Sequence, residues 1–285
     1  MNRGIDDRRK TTLKKMVVFG ESHTVGASAT TRELGWAEVL KQLIDTFQDK
    51  PVELVNRGLG ADILSKACPL YADYEGKRPI GVERYRKHVI EENPDLVIIS
   101  FGYNDVRAGT PIAAFRKDLE TMVKDIQAET KSLIVLMNTY AIPDNGYENS
   151  SGGSITGSSW DKANRESQTL YNLMLNDVAA DHDLLFADVH GSQVRSPWTF
   201  CSPGGTDDIH ANDLGHRLIA HRLFEALATQ CSFLSVKTQK TRRKIGKSPW
   251  RHGQSSPEAE LISEFYPKSP ALSLYKKKPA KRPKK

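Results

Sequence analysis

The chain has 285 residues and a formal net charge of +6, enough length for one large domain or a medium domain with an appendage. The charge is split. Residues 237–285 hold 15 Lys/Arg against three Asp/Glu, a net of +12, whereas residues 1–236 hold 26 against 32, a net of −6. No run reaches the ~20 apolar residues of a membrane span, and three cysteines without a close pair, Cys68, Cys201 and Cys231, argue against a disulfide framework and suit a reducing compartment.

Residues 1–13 form a polar extension with no apolar h-region, so no standard secretory signal is expected and the chain reads as a cytoplasmic protein. From residue 14 to 236, short apolar runs alternate with amphipathic stretches. Met16–Phe19, Val52–Val55, Leu96–Ser100, Leu133–Met137 and Leu184–Ala187 are nearly continuous in apolar residues, the pattern of parallel strands buried on both faces. Between them, Leu34, Trp36, Val39, Leu40, Leu43, Ile44 and Phe47 repeat at helical spacing. So do Phe115, Leu119, Met122, Val123 and Ile126, and the stretches 170–178 and 214–227 follow suit. The alternation predicts a three-layer α/β/α sandwich around a parallel sheet of about five strands.

Two loops interrupt it. Residues 143–159, rich in Gly and Ser, follow the fourth strand and read either as a rim over the site or as a plain surface loop. Residues 190–206 carry Trp198 and Phe200, suited to a pocket wall or to packing the loop onto the body. Beyond residue 236 the periodicity fades and Lys, Arg, Pro and Ser dominate, so 237–285 reads as a disordered tail. Its charge suits contact with polyanions such as nucleic acid or anionic lipid, or a nuclear address, or a solvated extension.

The chemistry sits at the two ends of the body. Val17-Val18-Phe19 runs into Gly20-Glu21-Ser22-His23-Thr24-Val25-Gly26, and Asp207-Asp208-Ile209-His210 comes far downstream. A serine leaving a buried strand, with an acid and a histidine three residues apart, is the residue set that serine-based acyl transfer requires. The hydroxyl must project from a sharp turn, an imidazole must take its proton, and a carboxylate must orient that imidazole. In open parallel sheets such groups gather beyond the carboxyl ends of the strands, where the predicted strands place Ser22, Ala61 and Asn104, with Asp207 and His210 ahead of the last helix.

Four segments together resemble the SGNH (GDSL-type) hydrolases across residues ~14–230. Gly20–Gly26 is similar to the family's Gly-Asp-Ser-x-(Ser/Thr)-x-Gly block, with Glu21 where Asp is usual. Asn56-Arg57-Gly58-Leu59-Gly60-Ala61 is similar to the second block, Gly102-Tyr103-Asn104-Asp105 meets the third, and Asp207 to His216 meets the last. The resemblance implies a flavodoxin-like sandwich and ester hydrolysis, on small acyl groups such as acetyl on carbohydrate, or on lipid or thioester substrates. It implies Ser22 as nucleophile, His210 as general base and Asp207 as its partner, with Asp208 the rival acid. The oxyanion donors would be the Ser22 N–H, the Ala61 N–H with Gly60 as fallback, and the Asn104 amide. His216 reads as structural, and His23 has no assigned role. No cofactor or metal is called for: there is no phosphate-cradling or dinucleotide fingerprint, and His182, Asp183, Asp188 and His190 form no recognisable ligand set. The competing reading is a catalytically silent binding protein, with Glu21 and Ala61 as marks of decay.

Overall fold

The computed structural model describes residues 6–142, 160–194, 209–235, 262–265 and 267–275. The chain divides into two compact units, Met1–Leu234 and Ser235–Lys285. The first contains, in order, β1 (Lys15–Gly20), α1 (Ser22–Val25), α2 (Trp36–Phe47), β2 (Glu53–Gly58), α3 (Tyr71–Tyr74), α4 (Gly81–Tyr85) running into a π-helical turn at Arg86–Ile90, β3 (Leu96–Ser100), α5 (Tyr103–Ala108), α6 (Ile112–Glu129), β4 (Leu133–Met137), α7 (Arg165–Asp181), β5 (Leu185–Ala187), α8 (His190–Gln193) and α9 (Asp213–Gln230). The second contains a helical turn at 262–265 and a 3-10 helix at Pro270–Tyr275. The expected disorder of 237–285 otherwise concerns residues outside the described set.

The five strands pair in the order β2-β1-β3-β4-β5, every pairing parallel. Because β1 lies between β2 and β3, the chain first steps one way from β1 and then back across it. Right-handed crossovers therefore place helices on both faces. α2 and α9 pack together on one face, while α4, α6 and α7 form the other. Three helices bury most of the stripe their spacing predicts: Trp36, Val39, Leu40 and Ile44 from α2, Phe115, Leu119, Met122, Val123 and Ile126 from α6, and Ile219, Leu223 and Leu227 from α9. Leu34, Leu170 and Leu214, which the same spacing included, are exposed, Leu34 because it precedes α2. Two helices start on side-chain caps. Asn164 accepts from the Ser167 N–H and Asn212 from the Gly215 N–H, each satisfying a donor the helix cannot.

Two boundaries differ from the sequence reading. β2 extends to Gly58, so Asn56 lies in a strand and not beyond one. The extension follows from pairing, since Val18, Phe19 and Gly20 of β1 hold Asn56, Arg57 and Gly58 in register although none of the three is apolar. The polar N-terminal extension is also tied down from Asp7 onward, which accepts from the Ser232 N–H at 3.0 Å. The Arg8 N–H donates to the Gln230 carbonyl at 2.9 Å, Arg9 pairs with Asp95 at 2.5 Å, and Leu13 is buried. Among the described residues, no helix is long and apolar enough to cross a membrane.

β3 is central and covered on both sides, with Ile98 fully buried. Ile98→Ala should cost about 2–5 kcal/mol in urea unfolding; a loss under about 1 kcal/mol would mean the strand is not packed on both faces.

Candidate active site

Ser22 opens the short helix α1 directly after β1, at the carboxyl edge of the sheet. The Thr24 and Val25 N–H groups donate to the Glu21 carbonyl at 3.0 and 3.2 Å, closing the turn. Asn56 reaches over from β2: its Nδ2 donates to the Thr24 carbonyl at 2.6 Å while its Oδ1 accepts from the Gly58 N–H at 2.9 Å. Gly58 must lack a side chain here, because a Cβ would lie 2.5 Å from the Val25 nitrogen. The second block thus clamps the first.

His210 Nε2 lies 2.7 Å from Ser22 Oγ, which brings together two groups 188 residues apart in the chain. The segment carrying His210 is held by its neighbour: the Ile209 carbonyl accepts from Tyr103 Oη at 2.8 Å and also from the His23 ring. His23 stacks on Tyr140 with ring centroids 3.8 Å apart. Burial first, then the nearby positive charge that His210 and His216 would carry, depress the His23 pKa well below the ordinary value. Sequence reasoning gave His23 no role; the structure makes it a neutral brace. His216 is buried as expected, accepting from the Trp36 N–H at Nδ1 (3.3 Å) and donating from Nε2 to the Ala27 carbonyl (2.9 Å). It fastens α9 to the entry of α2 and to the residue after the Ser22 turn. Asp207 and its rival Asp208 lie outside the described residues.

The three expected oxyanion donors stand on three different segments, Ser22 in α1, Ala61 in the loop after β2 and Asn104 in α5. Asn104 is buried at the start of α5, and its Nδ2 donates to the Asp62 carbonyl at 2.9 Å, which leaves its second amide hydrogen for another acceptor. Ala61 has φ +53°, a left-handed conformation that costs an alanine roughly 1 kcal/mol relative to the right-handed one. Gly60 does not share it, so the residue that needs glycine's freedom is the one that lacks it. Among the described residues no hydrogen bond occupies the main-chain N–H of Ser22 or Ala61.

Two buried carboxyls hold these segments together. Glu21 Oε1 accepts from the Gly102 N–H at 3.0 Å and the Asn104 N–H at 3.2 Å, so the longer side chain in place of Asp spans from the first block to the third. Burial and then the Asp105 charge push its pKa well above the carboxylate range, against those two hydrogen bonds. Asp62 pairs with Arg84, Nε at 2.9 Å and Nη2 at 2.5 Å, both side chains buried. Arg84 also donates to the Arg57 carbonyl at 2.7 Å and the Gly20 carbonyl at 3.0 Å, with its guanidinium 4.2 Å over the Phe19 ring. Arg84 lies in none of the four blocks, so no spacing signal could have found it. Burial raises Asp62 to about 6, opposed by the charge of Arg84. Burial raises Asp105 to about 7, opposed by N–H donation from Leu64 and Ser65.

Among the described residues no group of three or more His, Cys, Asp or Glu converges as a metal site. Of the four residues clustered around β5, Asp183 pairs with Arg8 and Asp188 accepts from Asn138 Nδ2 at 2.7 Å.

Arg84→Met should destabilise by about 3–5 kcal/mol, because it strands Asp62 as a buried unpaired charge, measured by urea unfolding at pH 7.5; a loss below about 1 kcal/mol would show that the pair is dispensable. The raised carboxyls set a pH dependence. Between the unfolded value near 4 and about 7, the folded chain keeps the Asp105 proton that the unfolded chain releases. Stability from this source is therefore whole below pH 4 and is lost as pH rises through 7, by up to about 4 kcal/mol. Asp105→Asn should show a smaller fall in melting temperature between pH 5 and pH 8 than wild type; parallel curves would refute the assignment.

A profile of the GDSL-like Lipase/Acylhydrolase family matches residues 18–218. No curated protein matches the chain. Among solved structures, the chain is similar to a lipase/acylhydrolase from Enterococcus faecalis, with TM-score 0.56 and 22% identity over 76% of this chain and 96% of that one. It is similar to Axe2, an acetylxylan esterase from Geobacillus stearothermophilus, with TM-score 0.55 and 17% identity over 77% and 96%. A two-domain esterase active on acetylated mannans gives TM-score 0.53 and 21% identity over 78% of this chain and 50% of that one. At these identities the structural likeness speaks for the fold, and the profile match carries the assignment: the chain belongs to the GDSL-like lipase/acylhydrolase family and is an ester-hydrolysing enzyme.

Proposed function

We propose that the protein removes small acyl groups, acetyl foremost, from a carbohydrate ester through an acyl-enzyme on Ser22. The observation that carries the reading is the 2.7 Å separation of His210 Nε2 and Ser22 Oγ, within reach for a general base acting on a nucleophile. Ser22 Oγ attacks the ester carbonyl as its proton passes to His210 Nε2. Asp207 holds the imidazole so that Nε2 is the free nitrogen. The main-chain N–H groups of Ser22 and Ala61 and the Asn104 amide receive the developing oxyanion, each donor worth ~10²–10³ in turnover. The tetrahedral intermediate collapses, and His210 returns the proton to the departing alkoxide. Water then attacks the acyl-enzyme with the same base, releasing the carboxylic acid and restoring the hydroxyl.

The acetyl-carbohydrate preference draws on two structural neighbours, one named an acetylxylan esterase and one active on acetylated mannans. A lipid or thioester substrate is the second reading, drawn from the lipase/acylhydrolase neighbour. Neither departure from the family blocks requires loss of activity. Ala61 offers its main-chain N–H as a glycine would, and Glu21 bonds the third block through its longer arm.

A fluorophosphonate probe should label wild type and leave Ser22→Ala unlabelled. Hydrolysis of p-nitrophenyl acetate and of acetylated xylooligosaccharides should fall ~10²–10⁴-fold in His210→Ala. Folded wild type that neither labels nor turns over any ester would leave the silent-binder reading in its place.

A further inference from the structure

Arg107 lies on α5, three residues beyond Asn104 and four beyond Tyr103, so it shares a helix face with both. It is 3% exposed. Its guanidinium carbon lies 5.5 Å from the Tyr103 ring centre and 5.8 Å from that of Trp160. Those aromatic faces attract the charge but accept none of its in-plane hydrogens. Both Nε and Nη2 are closed off from water and have no hydrogen-bond partner, and no ion pair reaches the side chain among the described residues. Acids near it in sequence are committed elsewhere: Asp105 accepts from the Leu64 N–H at 2.8 Å, and Asp161 pairs with Lys162 Nζ at 3.1 Å. A buried guanidinium without an acceptor is costly, and such groups are retained where something else supplies the acceptor.

Nε and Nη2 are the two nitrogens of the guanidinium edge that offers parallel N–H donors, the edge a carboxylate bridges in a bidentate pair. The position is close to the site. The Arg107 charge is one of the causes depressing the His23 pKa, and Tyr103, on which Arg107 rests, holds the Ile209 carbonyl beside His210.

We propose that Arg107 is a substrate-binding residue for a carboxylate, so that the preferred ester carries a carboxylate group a few bonds from its scissile carbonyl. This substrate class rests on the ester-hydrolase reading of Ser22 and His210 above; an acetylated uronic acid or a dicarboxylic half-ester has the required chemistry. Neither nitrogen touches water in the free protein, so a carboxylate reaches this edge only when binding uncovers it.

The test uses the full chain with Ser22→Ala, which binds esters without turning them over. Equilibrium dialysis compares monomethyl succinate, a monoanion, with the neutral dimethyl succinate. The anion should bind at least tenfold tighter. Adding Arg107→Met should abolish that difference, and Arg107→Lys, which keeps the charge without the fork, should restore only part of it. Equal binding of the two esters by Ser22→Ala overturns the proposal, as does a preference that survives in the Arg107→Met protein. Should the Met variant fail to fold, the two esters on Ser22→Ala and on the Lys variant still decide. Because nothing is hydrolysed, a failure of the esterase reading would show in probe labelling and leave this comparison standing.

Discussion

The geometry of the rim depends on one buried guanidinium. Arg84 binds the Asp62 carboxylate, the Arg57 carbonyl at the end of β2 and the Gly20 carbonyl at the end of β1. The loop carrying Ala61 and the turn carrying Ser22 are thereby referred to the same cation. Burying an ion pair gains little stability over an apolar substitute, since desolvation offsets much of the attraction. What it contributes is placement. Four directional bonds and a stack on Phe19 fix the loop far more tightly than apolar contact could, and proposed oxyanion donors tolerate little positional error.

Glu21 extends the same logic to the third block. Its carboxyl joins the Ser22 turn to the Gly102 and Asn104 amides, so that Ser22, Ala61 and Asn104 are tied pairwise through buried polar groups. Gly102 has φ +114°, open to glycine and strained for other residues, which lets that backbone turn its N–H toward Glu21. The cost is visible in three buried carboxyls, Glu21, Asp62 and Asp105, whose pKa values all rise as burial disfavours their charge. Stability is spent here on preorganisation, as is usual near functional sites.

His210 is governed from the other side by an uncharged set. His23, Tyr103 and Tyr140 pack ring against ring, and two of them bond the Ile209 carbonyl. A neutral His23 suits this position, because a second cation beside His210 would oppose the charge that a base acquires on taking a proton. Arg107 is the exception in this neighbourhood, a cation whose Nε and Nη2 have no hydrogen-bond partner among the described residues.

The strand and helix pattern was legible because continuous apolar runs and 3.6-residue stripes report burial directly, and β3, β4 and the stripe of α6 are found where periodicity puts them. β2 was read too short, since Asn56 and Arg57 are held in the sheet by backbone pairing with β1, which hydropathy does not encode. Ser22 and His210 were legible as motif members, and the sequence by itself determined the residue types, the order of the blocks and the alternation that sets the sandwich. Only the tertiary structure decided that Arg84 anchors Asp62, that Glu21 reaches the third block, that His23 braces the segment of His210, and that Ala61 sits at positive φ. The first three are contacts between residues 20 to nearly 190 positions apart, set by how strands fall side by side in the sheet, and no local pattern of amino acids specifies that adjacency.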